Sequence, residues 1–193
     1  MVFGPLAAQG QANIPTAEQQ ISAAVMAAPQ PMGADAKVYG YNSEGEWTTL
    51  RQGNGDLICI TDNPEQSNFH VACYAVALEP FMSRGRELRR QGFTRKEVDK
   101  MRRQEIESGA LELPRHPMTL YSLSGQSGAY DYEAGTLREA QSLTVIYVPF
   151  ETKQSSGMAT SPPAPGAPWL MDAGTPWAHI MIPGGTVGRD VEQ

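Results

Sequence analysis

Leu57-Ile58-Cys59-Ile60-Thr61 and Phe69-His70-Val71-Ala72-Cys73-Tyr74 are two apolar, strand-like runs separated by a loop from Asp62 to Asn68. That loop opens with Asp62-Asn63-Pro64, strong turn chemistry, so the runs are expected to fold as an antiparallel hairpin. In that arrangement Cys59 and Cys73 come opposite each other. In an oxidising compartment they form a disulfide, which for a loop of this size stabilises by about 3 kcal/mol in the chain-entropy model. The alternative is two buried free thiols, a common fate of core cysteines. The chain has only these two cysteines and no Cys-x-x-Cys, so they make no structural zinc site by themselves.

Upstream of the hairpin, the same period of two runs through Lys37 to Tyr41 and Glu46 to Arg51. The separators are Asn42-Ser43-Glu44-Gly45 and Gln52-Gly53-Asn54-Gly55. An antiparallel meander is the simplest arrangement of these four strands. Before them, Thr16-Ala17-Glu18-Gln19 has the form of a capping box, with Ile21, Ala24, Val25 and Ala28 on one helical stripe. Pro29 and Pro31 end that helix.

Downstream, Pro80 suits a first helical turn, and Phe81, Gly85 and Leu88 form a narrow apolar stripe ahead of Gly92. Thr94-Arg95-Lys96-Glu97 is a second capping box, with Phe93 and Val98 at the positions of a hydrophobic staple. Strands are expected at Met118 to Leu123 and Ser142 to Phe150. The latter is apolar on both faces, as a central strand is. The Pro-rich stretch from Ser161 to Pro168 leads into Trp169-Leu170-Met171 and Trp177-Ala178-His179-Ile180-Met181-Ile182. These large apolar side chains predict an extended segment laid on the core and ending in a strand.

The expected fold is therefore α+β: an antiparallel sheet of about five to seven strands with two or three helices packed on it. Residues 13–183 form one domain, and 184–193 a flexible tail. The 19 Gly and 15 Pro favour turns and long connections over a helical bundle. A net charge of −6 argues against general affinity for nucleic acid. No apolar run reaches the roughly 20 residues of a membrane-spanning helix. Residues 1–12 carry small residues at Gly10 and Ala12, as the end of an export signal does. With the cysteines, this predicts a periplasmic or secreted protein.

The runs Phe69 to Tyr74, Leu78 to Leu88, Val145 to Phe150 and Gly174 to Met181 together resemble a set of uncharacterised bacterial exported proteins. The likeness spans most of the chain after residue 16. It implies bacterial origin and export, and it implies no activity, cofactor or site.

Catalytic signatures are mostly absent, and Ser124-Gly125-Gln126-Ser127-Gly128 departs from a nucleophile elbow because Ala129 stands where the second glycine belongs. A Gly-Ser turn is the better reading. Two function classes follow. The first is a non-catalytic extracytoplasmic domain that binds a small molecule or a protein, with a pocket lined by Trp169, Trp177, His179 and Met181. The second is a metal-assisted or acid–base enzyme using His179 with His70 or His116, where all three histidines would ligate a divalent metal. No other cofactor is predicted. Residues 84–103 hold nine of the 15 Lys and Arg against three acidic residues. This cluster is either two solvated helix faces or a peripheral docking patch for an anionic surface, through Arg89, Arg90, Arg102 and Arg103.

Overall fold

The computed structural model describes residues 14–188, so the expected export-signal remnant at 1–12 lies outside the described residues. It is an α+β fold. The elements are α1 (Ala17–Val25), β1 (Lys37–Tyr41), β2 (Trp47–Arg51), β3 (Leu57–Ile60), β4 (Phe69–Ala75), α2 (Glu79–Arg90) and α3 (Arg95–Glu107). They continue as β5 (Met118–Gly125), β6 (Tyr130–Asp131), β7 (Thr136–Leu137), β8 (Ala140–Tyr147), α4 (Lys153–Ser156), β9 (Trp169–Met171) and β10 (His179–Val187).

The expected antiparallel sheet is in fact mixed and has eight strands, in the order β2-β1-β3-β4-β5-β8-β10-β9; β6 and β7 form a separate two-stranded ladder. The meander fails at one point. β1 and β2 make the anticipated hairpin, but β3 then pairs with β1 in parallel, Val38 beside Cys59. The Gln52–Asp56 connection causes this. Gly55 donates its amide to Asp35 O at 2.9 Å, and a β-carbon on Gly53 would collide with the Asp35–Lys37 backbone. Without side chains there, the loop doubles back across β1 and delivers β3 to its far side. The four helices exceed the two or three expected because α4 is a single turn, too short to leave a periodic pattern.

β3 and β4 pair antiparallel with Cys59 directly opposite Cys73, and the two are joined by a disulfide with a Cα–Cα distance of 4.0 Å. Alternation along β4 sends Phe69, Val71 and Cys73 to one face, where α1 packs with Ala23, Ala24 and Ala28. It sends Tyr74 to the other, where Ile58, Met118 and Leu120 pack with Met82 of α2 and with Leu78, the residue that caps that helix. Both capping boxes form. Val98 is buried, but its expected staple partner Phe93 stays 37% exposed.

The buried stripe of α1 is rotated from the one expected and includes Gln20, only 2% exposed. Its Nε2 donates to Pro15 O at 2.7 Å and to Tyr41 O at 2.8 Å, while Oε1 accepts from Tyr41 N at 2.9 Å. A buried carboxamide with its groups paired ties the start of α1 to the end of β1.

Of the expected tail 184–193, residues 189–193 lie outside the described residues, and the described part is largely strand. β10 continues through Val187, with Gly185, Thr186 and Val187 opposite Ser142, Gln141 and Ala140 of β8. Gly184 is the bulge residue that permits this, since a β-carbon there would clash with the Ser142 side chain.

Candidate functional site

The aromatic segment is laid on the core, as expected, with Leu170, Trp177 and Ala178 buried. Trp177 lies in the turn before β10, 9% exposed, its ring centroid 6.2 Å from that of Phe81 in α2. The Arg103 guanidinium sits over the same indole, 4.5 Å from its centroid. His179 is half-buried beside Tyr147, with ring centroids 5.4 Å apart, and its Nδ1 lies 2.7 Å from Trp177 O. A carbonyl oxygen only accepts, so Nδ1 carries the proton and the ring is locked in place. Trp169 and Met181 face each other across β9 and β10. None of Trp169, Trp177, His179 and Met181 lines the cavities described below.

The three histidines do not converge. His179 is in register with Tyr147 and Met118, whereas His70 is in register with Ser124. Six residues of β5 separate those rows, about 20 Å at roughly 3.4 Å per residue. A shared metal site, or an acid–base pair of His179 with His70, is thereby excluded. His116 is exposed ahead of β5, with Nδ1 3.3 Å from Pro117 O. Among the described residues, no group of three or more His, Cys, Asp and Glu is placed to hold a metal ion.

The basic cluster is divided. Arg102 is only 8% exposed, paired with Asp99 at 2.8 Å and stacked 3.9 Å over the Phe81 ring. Gly85 gives it room, since a β-carbon there would come 3.0 Å from its Nη1. With Arg103 on Trp177, two of the four expected docking residues serve the packing of α3 instead. Arg84 is held by Glu105 at 2.6 Å and Arg86 by Glu79 at 2.7 Å. Arg89 and Arg90 remain exposed.

A cavity of about 690 Å³ opens at the opposite end of the sheet. Its floor carries three members of one row, His70 of β4, Ser124 of β5 and Gln141 of β8, and the row continues beyond the cavity to Thr186 of β10; the four are successive partners. At about 4.8 Å per strand the row spans roughly 14 Å. Gln141 Nε2 donates to Thr186 Oγ1 at 2.7 Å, and all four residues are exposed. The turn Gln126–Ala129 forms one wall, closed by Ala129 N donating to Gln126 O at 3.0 Å. The Ser124–Gly128 run is thus a strand end and turn, as expected. Gln66 and Asn68 form another wall, and Arg138 and Glu139 stand at the rim with opposite charges. The His70 ring faces water on the cavity side, while the atoms packed around it lower its pKa by desolvation. It is neutral at neutral pH, able to donate from one nitrogen and accept at the other.

Sequence reasoning named His70 as a metal-ligand or acid–base candidate, but it did not find this row. Part of the signal was there in the alternation, since Gln141 is a polar break on a strand face otherwise made of Leu143, Val145 and Tyr147. Finding it required the strand order.

No family model, curated protein or solved structure matches the chain. Fold and site define a disulfide-tied α+β domain with a polar cavity at one end of a mixed sheet.

Proposed function

We propose that this is a non-catalytic ligand-binding domain of a bacterial exported protein, acting in the periplasm or outside the cell. Its ligand is a neutral molecule rich in hydroxyl or amide groups, such as a saccharide fragment. The observation that carries the reading is the exposed row His70, Ser124 and Gln141 on the floor of the cavity of about 690 Å³. Carboxamides, hydroxyls and a neutral imidazole each donate and accept, which matches groups that do the same. The Arg138 guanidinium at the rim is already paired with Asp131 at 3.0 Å, so it is not free to select an anion. A size of this order suits a small molecule whose polar groups are fixed by a few convergent side chains. The disulfide supports an oxidising compartment.

The test is titration of the labelled protein with soluble oligosaccharides (chitotriose and maltotriose), followed through the side-chain amides of Gln66, Gln126 and Gln141. Saturable shifts of these amides, abolished by Gln141→Ala, are expected. Shifts confined to other surfaces contradict the assignment.

A further inference from the structure

A second cavity, about 230 Å³, lies where α1 begins and β1 and β3 end. It is smaller than the roughly 300–1,000 Å³ of drug-sized sites. Ile14, Pro15 and Pro64 give it apolar walls, and Tyr41 and Tyr132 add two phenol rings. None of the residues that line it is basic.

Two polar groups meet there without satisfying each other. Thr61 is 5% exposed, and its hydroxyl has no hydrogen-bond partner among the described residues. Its methyl carbon lies against Gly40, where a β-carbon would come within 2.8 Å, and Thr61 is one of the residues that line the cavity. A buried hydroxyl without a partner marks a place where something is missing, because native interiors pair nearly all such groups. The neighbouring Asp62 accepts two backbone amides, from His70 at 2.9 Å and Asn63 at 3.0 Å. Both go to Oδ1, and the carboxylate also interacts with the phenol of Tyr132, which lines the same cavity.

We propose that this cavity binds a small organic ammonium ion. Asp62 is its counter-ion, Tyr41 and Tyr132 its aromatic walls, and Thr61 Oγ1 the acceptor or donor for its polar substituent. Phenol faces attract such cations through the ring quadrupole, and a half-buried carboxylate supplies the full charge. The electrostatics agree. Burial raises the Asp62 pKa, as it does for a carboxylate short of a cation. Tyr41 is raised by burial and then by the charges of Glu65 and Asp62, so the local field is negative. The start of α1 contributes an opposing partial charge of only about half a unit.

The experiment titrates the full chain, by calorimetry and by NMR, with choline, with ethanolamine, and with the uncharged tert-butyl isostere of choline. An ammonium is expected to bind at millimolar concentration and the isostere not to bind. Asp62→Asn keeps the Oδ1 acceptor and hence the loop, and it should weaken the ammonium about thirtyfold, as loss of one member of a buried charge pair does. Thr61→Val should also weaken it without lowering the melting temperature. Failure of both ammonium ions to bind, equal binding of the isostere, or undiminished binding by Asp62→Asn would each overturn the proposal. None of these outcomes bears on the larger cavity.

Discussion

The backbone amide of His70 donates to Asp62 Oδ1 at 2.9 Å, so a residue lining the larger cavity is anchored by a carboxylate lining the smaller one. Asp62 shapes the loop between β3 and β4 together with Asn63, whose Oδ1 accepts from Glu65 N at 3.0 Å. Asp62→Ala should lower unfolding free energy by about 1.5–3 kcal/mol, the usual contribution of hydrogen bonds to a charged group. Asp62→Asn, which retains an acceptor oxygen, should cost clearly less. Urea denaturation of the three proteins measures both differences.

The unpaired Thr61 hydroxyl sets up the opposite expectation. Replacing it with the nearly isosteric Val removes a buried polar group that gains nothing from the fold. Thr61→Val should leave the free protein as stable or raise it by about 1 kcal/mol. A clear loss of stability would mean that the hydroxyl is paired in solution.

Acid should release one specific contact between α2 and α3. Glu105 is held by Arg84, whose Nε and Nη2 lie 2.9 and 2.6 Å from its oxygens, and that pairing lowers the Glu105 pKa. A carboxylate with a depressed folded-state pKa adds stability above the ordinary glutamate range and loses it as pH falls through the depressed value. The melting temperature of Glu105→Gln should thus lie below that of the parent at neutral pH. The two curves should converge in strong acid.

Much of the fold was legible because local chemistry dictated it. The capping boxes at Thr16 and Thr94, the limits of the first four strands and the Cys59–Cys73 pairing all follow from neighbours in sequence. What was not legible depended on long-range placement. Gly53 and Gly55 look like an ordinary turn until Asp35 is known to lie beneath them, and that contact makes the sheet mixed. The candidate site suffered more for the same reason. Trp177 and His179 carry the composition of a pocket, yet Phe81, Arg103 and Tyr147 arrive from distant parts of the chain and cover them. The polar row of the larger cavity depends on the register of three strands, which no local pattern specifies.

The strand at the end of the chain yields a further test. Ending the chain at Pro183 removes the pairing of Gly185, Thr186 and Val187 with β8 and the hydrogen bond from Gln141 to Thr186. Thermal unfolding should remain cooperative but shift down by several degrees, the effect of roughly 1–2 kcal/mol in a domain of this size. An unchanged midpoint would show that these residues are not held in the sheet.

The most direct test of the ligand-binding account is a crystallographic screen of soaked, neutral polar fragments. The account predicts that fragments cluster in the cavity of about 690 Å³, hydrogen-bonded to His70, Ser124 and Gln141. Fragments that gather around Trp169 and Met181 instead, or that leave this cavity empty across the whole screen, would contradict it.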